Sequence, residues 1–453
     1  MNPPRICLSL YGTTEEICDS IASAPEADLY EIRLDLSVNL DLSKIRIMTK
    51  KPLLFASHTA PDLLARAAPV ADYLDVGRVP APPGWNGTTI VSEHRNAGDP
   101  GQLWNQLSGN HLTKLVLNTS EYSTIAALVD LNRAHAPNAI SFAMGEAGAF
   151  SRILSVFQGA PWIYASQPGR ATGDGQFTLQ ELTTLYRIRR FGDEPTVFGI
   201  TGNPVSHSLS PTFHNGKFTE ENLPWIYLPF PSENVSSLIE HASRFGICGL
   251  TVTHPHKEAV VRYLTHASPE VVRLRSCNTL SYQEGEWHGT NTDVVGVQAT
   301  LKQVQVPLES SSVIILGAGG SARVIASVIA GRCRKLVILN RNAEKARTLA
   351  AEYGGTGGPL DDLGKYKYDL LFQATSIGMR EGECPVDPAA LQPGKMVVDL
   401  IYRPSETVLL KKAKSLGCRT LNGETWFFAQ AEAQFAWWKK LLISRKDSKR
   451  AKS

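Results

Sequence analysis

The chain has 453 residues, 43% of them hydrophobic, with a formal net charge of +3. That length and composition allow two to four domains with large cores, and the near balance of charge gives no reason to invoke nucleic acid or a membrane surface as a partner. The seven cysteines are scattered without a C-x-x-C pair, which points to a reducing compartment rather than a disulfide scaffold, and no apolar run reaches membrane-span length.

Met1–Arg5 leads straight into a strand-like run, so no signal or transit peptide is expected and the cytoplasm is the expected location. The first part of the chain holds eight such runs: Ile6–Tyr11, Leu29–Leu36, Pro52–His58, Ala71–Gly77, Thr88–His94, His111–Leu117, Ala139–Met144 and Trp162–Ser166. Amphipathic segments lie between several of them (Thr14–Ser23, Gln102–Leu107, Ser123–Ala134, Phe150–Phe157), and Leu179–Arg190 follows the last. Strands alternating with helices require parallel crossovers. Eight of them predict an α/β fold beginning with a compact (β/α)8 barrel over residues 1–192. The prolines of Val79-Pro80-Ala81-Pro82-Pro83-Gly84 forbid a helix after run four, so one helix is expected to be missing there.

Chemistry in such barrels sits at the C-terminal ends of the strands. Glu31, Arg33 and Asp35 alternate with Ile32 and Leu34, so the three charges are expected on one face, as an ion-pair network or as ligand contacts. Run five delivers His94. Lys114 stands in a mostly apolar run, where its charged form is penalised; it is either a snorkelling lysine or an amine able to form a Schiff base. Arg152 follows run seven, and the loop Gly169–Gln176 follows run eight.

E-I-R-L-D, S-E-H, the isolated strand lysine, M-x7-S-R from Met144 to Arg152 and the late G-Q together resemble type I 3-dehydroquinate dehydratase. The resemblance implies dehydration of 3-dehydroquinate to 3-dehydroshikimate without a cofactor. It makes Lys114 the Schiff-base lysine and His94 the acid/base. Glu31 and Arg33 would bind substrate hydroxyls, and Arg152, Thr172 and Gln176 the other end. Two positions depart from the pattern: His58 stands where the family has arginine, and Asp62 aligns with the carboxylate that orients the catalytic histidine.

Charge, glycine and proline mark a boundary near 192–195. After a strand at Thr196–Ile200, Ser208 and Ser210 precede Pro211, where they could cap a helix or bind a hydroxylated, anionic ligand. Further on, His254 and His256 form H-x-H; with no acidic or cysteine ligand close by in sequence, no metal is expected. Lys257 follows a strand end, placed to reach a cleft. A hairpin is predicted around Glu284-Gly285, and Asp293, at the start of a helical segment, could be its N-cap. Val313–Leu316, the cluster Gly317-Ala318-Gly319-Gly320, the helical Ser321–Ala330 and Leu336–Leu339 read as a βαβ unit whose glycines admit a pyrophosphate. Its second strand ends Asn340-Arg341-Asn342 rather than in a carboxylate. A guanidinium there suits a 2′-phosphate, so NADP is the expected cofactor, although Arg341 could simply be a solvated arginine.

S-x-S-P-x-x-H-N, T-x-P-x-K, N-T-L, N-T-D, G-A-G-G-x-A, N-R, A-T-S-I-G-M, D-L-I-Y-x-P and a helix-borne Gln430 occur in the order of shikimate dehydrogenase, which residues 196–440 resemble. The resemblance implies NADPH-dependent reduction of 3-dehydroshikimate to shikimate, with Lys257 and Asp293 as the catalytic pair. Ser208, Ser210, Thr253, Asn278, Tyr402 and Gln430 would bind substrate. Gly317, Ala318, Gly319, Gly320, Asn340, Arg341, Thr375 and Gly423 would line the cofactor. Thr251 replaces the usual asparagine, and Gly423-Glu424-Thr425-Trp426-Phe427 replaces G-x-x-M-L. The expected parts are a substrate-binding domain over 195–300, a C-terminal Rossmann domain over 301–441 and a basic tail over 442–453. The two activities are consecutive, which predicts a bifunctional enzyme with small-molecule partners (3-dehydroquinate, 3-dehydroshikimate and shikimate). One rival reading makes the barrel a stabilising module; another makes the second half a quinate dehydrogenase. The oligomeric state is not legible.

Overall fold

A computed structural model describes residues 3–58 and 60–450, with side chains through 442. The chain forms two compact units, Met1–Cys248 and Gly249–Ser453.

In the first unit, eight parallel strands form a (β/α) barrel: β1 (Ile6–Leu10), β2 (Leu29–Arg33), β3 (Leu53–Ala56), β4 (Tyr73–Asp75), β5 (Thr88–Arg95), β6 (Leu112–Asn118), β7 (Ala139–Met144) and β8 (Ile163–Ala165), in the order β7-β6-β5-β4-β3-β2-β1-β8. Helices α1 (Thr14–Ser23), α2 (Leu42–Met48), α3 (Pro61–Ala67), α4 (Pro100–Leu107), α5 (Tyr122–His135) and α6 (Phe150–Phe157) lie between strands. None joins β4 to β5, as the prolines require. Strands covered on both faces read as near-continuous apolar runs; β6 is buried along its length except at Asn118, Lys114 included. Two segments differ from expectation. β2 ends at Arg33, and Asp35 lies in a 3-10 turn rather than on the strand face. Leu179–Arg190 is a π-turn and a 3-10 turn, broken where Arg187 takes φ 47°.

The first unit continues beyond residue 192 with β9 (Thr196–Gly202), α7 (Ser210–Glu220), β10 (Trp225–Pro231) and α8 (Val235–His241), β9 and β10 pairing in parallel. This segment is packed against α5 and α6. Phe150 meets Phe230 and Phe245, the Tyr122 hydroxyl donates to the Pro231 carbonyl at 2.9 Å, and Arg244 Nε donates to Asp130 at 2.9 Å.

In the second unit, β11 (Ile247–Val252) runs antiparallel to β13 (Thr279–Gln283), which forms a hairpin with β14 (Glu286–Thr290); β12 (His266–Ala267) pairs in parallel with β14, and α9 (Pro269–Leu274) lies between β12 and β13 in the chain. The hairpin turn falls at Glu284-Gly285, both at positive φ (51° and 90°), as a two-residue primed turn needs. After α10 (Asp293–Val304), a Rossmann sheet follows: β15 (Ser312–Leu316), β16 (Lys335–Leu339), β17 (Thr356–Gly358), β18 (Leu370–Gln373), β19 (Met396–Asp399) and β20 (Arg419–Leu421). Its order is β17-β16-β15-β18-β19-β20, all parallel, with α11 (Gly320–Ile329), α12 (Ala343–Glu352) and α13 (Val408–Ser415) among its connections. The last helix, α14 (Glu424–Arg450), continues through most of the expected tail. No glycine or proline interrupts it, and lysine and arginine are good helix formers. The last three residues of the expected tail lie outside the described residues.

Candidate functional sites

The barrel encloses a cavity of about 460 Å³ at the C-terminal ends of its strands, lined among others by Glu31, Arg33, His58, His94, Lys114 and Arg152. Lys114 is 5% exposed, yet its surroundings are not apolar. Its Nζ lies 3.1 Å from Asp75 Oδ2 and 3.9 Å from Glu31 Oε1, and 4.4 Å above the Tyr164 ring. The expectation of a lysine amid apolar residues therefore describes its strand but not its side chain. Asp75, fully buried at the end of β4, is the residue that sequence reasoning missed. Its Oδ1 accepts from Ser92 Oγ at 2.5 Å and from the Gly77 amide at 3.2 Å. Burial raises the Asp75 pKa, but Lys114, His58 and these hydrogen bonds outweigh it and hold the carboxyl at about 2.

His94 stands edge-on to His58, with ring centroids 5.1 Å apart. Burial, then Lys114 and His58, depress its pKa to about 3, so the resting imidazole is neutral near pH 7. Ser92 Oγ lies 3.4 Å from His58 Nδ1, linking His58 to Asp75. Arg33 forms a bidentate pair with Asp35 at 3.0 and 2.7 Å. Arg152 is buried over the Phe142 ring and donates from Nη2 to the Asp174 carbonyl at 2.9 Å. Burial lowers its pKa to about 10, which leaves it charged, and its Nε has no partner among the described residues. An unmatched guanidinium donor in a cavity suits an anionic ligand. Gln176 Oε1 accepts from the Thr172 amide and hydroxyl, and Gln176 Nε2 donates to Ser9 Oγ at 3.3 Å. Asp62 is not brought to this group. It is exposed in the first turn of α3, because Pro61 starts a helix that carries it away from the cavity lining.

In the second unit, Lys257 Nζ donates to Asp293 Oδ2 at 2.7 Å. Asp293 is the first residue of α10, but its side chain does not cap the helix; the N-cap is Thr292. Its other oxygen, Oδ1, accepts from Trp426 Nε1 at 3.2 Å. Trp426 was noted in sequence only as a departure, and here it holds one of the paired residues. Gly296, one turn along α10, leaves room for it: a Cβ there would come within 2.9 Å of the indole. Asn278 Nδ2 donates to Gln430 Oε1 at 3.4 Å and to Thr292 Oγ1 at 3.1 Å. Thr251 donates to Gln434 Oε1 at 2.9 Å. Tyr402 is half-buried beside Phe427, and Thr253 accepts from the His256 amide through its carbonyl. In the first unit, Ser208 Oγ accepts from the Ser210 amide at 3.1 Å, and Ser210 is the first residue of α7.

Gly317, Ala318, Gly319 and Gly320 form the β15–α11 turn. Gly317 has φ 114°, where any side chain is strained. A Cβ on Gly320 would lie 3.4 Å from Lys257 Cδ and 3.3 Å from the buried Ser276 hydroxyl, which has no partner among the described residues. This bare turn, an open hydroxyl beside it, and the exposed Arg341 next to the half-buried Asn340 at the end of β16 fit a dinucleotide with a 2′-phosphate. Thr375 is hydrogen-bonded to Gln373 through its amide at 2.6 Å, beside Gly317, and the buried Gly423 allows the chain to pass Leu400.

A barrel with a buried, carboxylate-paired lysine, joined to a Rossmann unit with a lysine–aspartate pair at its glycine turn, defines a lyase-type domain coupled to an NADP-type oxidoreductase. Family models match at residues 86–193 (Type I 3-dehydroquinase), 200–280 (Shikimate dehydrogenase substrate binding domain) and 299–379 (Shikimate / quinate 5-dehydrogenase). The chain belongs to the shikimate dehydrogenase family, in the branch that carries an N-terminal type I 3-dehydroquinase barrel. It is 29% identical to the bifunctional 3-dehydroquinate dehydratase/shikimate dehydrogenase of Arabidopsis thaliana, over 96% of this chain and 82% of that one. It is 37% identical to the NADP(+) shikimate dehydrogenase of Pyrococcus abyssi, over 53% of this chain and 91% of that one. The crystal structure of shikimate dehydrogenase from Aquifex aeolicus matches with a TM-score of 0.51 at 28% identity, over 55% of this chain and 94% of that one.

Proposed function

We propose that the chain performs two consecutive reactions, dehydration of 3-dehydroquinate in the barrel and NADPH-dependent reduction of 3-dehydroshikimate in the second half. The observation that carries the reading is the pair of separately built lysine sites, Lys114 with Asp75 and Glu31, and Lys257 with Asp293.

In the first reaction the Lys114 amine attacks the ketone, a C–N bond forms and water leaves. The positive charge moves from ammonium to iminium, so Asp75 and Glu31 stabilise it before and after. The iminium acidifies the adjacent C–H. Neutral His94 takes that proton and returns it to the departing hydroxyl, and hydrolysis then frees Lys114. The unmatched Nε of Arg152 supports a role in holding the substrate carboxylate.

In the second reaction bound NADPH supplies the hydride. Lys257 donates a proton to the carbonyl oxygen as negative charge develops there, and Asp293, held by Trp426, keeps the ammonium aimed. None of the seven cysteines is in a disulfide among the described residues, which supports a reducing, cytoplasmic location.

Separate assays of dehydration and NADPH consumption on purified protein test the reading, together with borohydride trapping of dehydroquinate. A covalent adduct at Lys114 is expected, absent in Lys114→Ala. Lys257→Ala is expected to abolish reduction and spare dehydration. A chain that reduces 3-dehydroshikimate but traps nothing on Lys114 would make the barrel a structural module.

A further inference from the structure

We infer that His266, Glu286 and His288 form a binding site for a divalent transition metal of the zinc, nickel and copper class. β12 and β14 are parallel neighbours, with His266 directly opposite His288 in register. Alternate residues of a strand share a face, so Glu286 and His288 project from β14 on the same side. One ligand atom from each of the three lies within 4.8 Å of the other two. His266 Nε2 and Glu286 Oε2 are 3.1 Å apart, and the imidazole rings stack at 4.4 Å with planes 25° apart. Two ligands at about 2.0–2.1 Å from a tetrahedral zinc lie roughly 3.4 Å from each other, so the 3.1 Å His266–Glu286 spacing already suits coordination. Two imidazoles and a carboxylate are a donor set for zinc and its neighbours rather than for calcium or magnesium.

His266 and Glu286 are about half exposed, so metal can enter and a fourth position stays open to water. The site also has a structural consequence. β12 has only two residues and pairs with β14 alone, so a metal bridging the strands would clamp a short edge. The clamp would close a loop between the segment that follows Lys257 and the strand that leads to Asp293. It is separate from the H-x-H of His254 and His256.

The test is calorimetric titration of the full chain, stripped with EDTA, with zinc chloride, followed by thermal unfolding with and without zinc. One equivalent is expected to bind, with the melting temperature raised by several degrees at saturating zinc. Glu286→Gln, which keeps the hydrogen bond to His266, is expected to weaken binding at least tenfold, and His266→Asn with His288→Asn to abolish it and the thermal shift together. Zinc-free melting temperatures of the variants report folding, and the exposed Glu286→Gln gives an independent reading if a histidine variant is destabilised. No binding, or binding undiminished in the double histidine variant, overturns the assignment and leaves only adventitious surface metal.

Discussion

The ring of Phe150 lies 4.5 Å from that of Phe230, joining the helix that carries Arg152 to a strand well beyond the barrel's own sequence. α6 is buried along its whole length, with Phe245 closing on Phe150 as well, at 5.2 Å. The position of Arg152 in the barrel cavity therefore depends on residues 225–245. Phe230→Ala is expected to lower stability by about 3 kcal/mol, as for other large aromatic deletions from cores. It should also raise the KM for 3-dehydroquinate several-fold while kcat changes little and borohydride still traps Lys114. An unchanged KM would separate Arg152 from this packing.

Asp75→Asn keeps the shape of the barrel site but removes a charge beside Lys114. The expected result is a loss of dehydration of roughly a hundredfold, with NADPH oxidation unaltered. Asp75→Ala should in addition destabilise the protein by about 1–3 kcal/mol, since it also removes the buried acceptor of the Ser92 hydroxyl and the Gly77 amide. Steady-state kinetics and chemical denaturation of both variants check this.

Trp426→Phe removes the indole donor from Asp293 Oδ1 and keeps most of the packing over Gly296. A hydrogen bond to a charged group contributes about 1.5–3 kcal/mol, so kcat/KM for shikimate oxidation should fall roughly tenfold or more. Dehydration serves as the internal control, and equal losses in both activities would mean misfolding.

Arg341→Ala tests the 2′-phosphate reading. Because Arg341 is exposed and far from Lys257 in sequence, the expected change is in cofactor choice, with the KM for NADP rising roughly tenfold or more and that for NAD unmoved. A parallel rise for both cofactors would contradict a phosphate-specific role.

Asp399 gives a pH-dependent prediction. Burial raises its pKa to about 6, against hydrogen bonds from the Ile401 amide and the Thr407 hydroxyl that lower it. A carboxyl whose folded pKa lies above its unfolded value binds its proton more tightly in the native state. Its contribution is complete below the unfolded value of about 4 and is lost as pH rises through about 6. Asp399→Asn, compared with the parent by denaturation at pH 5 and pH 8, should therefore gain relative stability at the higher pH, by about 1.4 kcal/mol, since part of the contribution is already lost at pH 5. No change in the difference between the two pH values would rule this titration out.

Sequence alone determined what depends on neighbours in the chain. Strand and helix periods gave the alternating elements, the prolines of Val79–Gly84 removed a helix, Glu284-Gly285 made the hairpin turn, and the glycines of 317–320 marked the phosphate turn. Lys114, His94, Lys257 and Asp293 were recognisable because each stands in a short motif with its own spacing. Only the tertiary structure decided which groups face them. Asp75 is 39 residues from Lys114, and Trp426 is 133 from Asp293, so no local pattern connects either pair. Asp62 stands where the family's histidine-orienting carboxylate is expected, but the helix begun at Pro61 carries it out to solvent, and the carboxylate beside Lys114, from β4, has no motif of its own. Side-chain partners across a parallel sheet are set by strand order and register, which are long-range properties of packing, whereas turns and helix starts are fixed by residues within a few positions of one another.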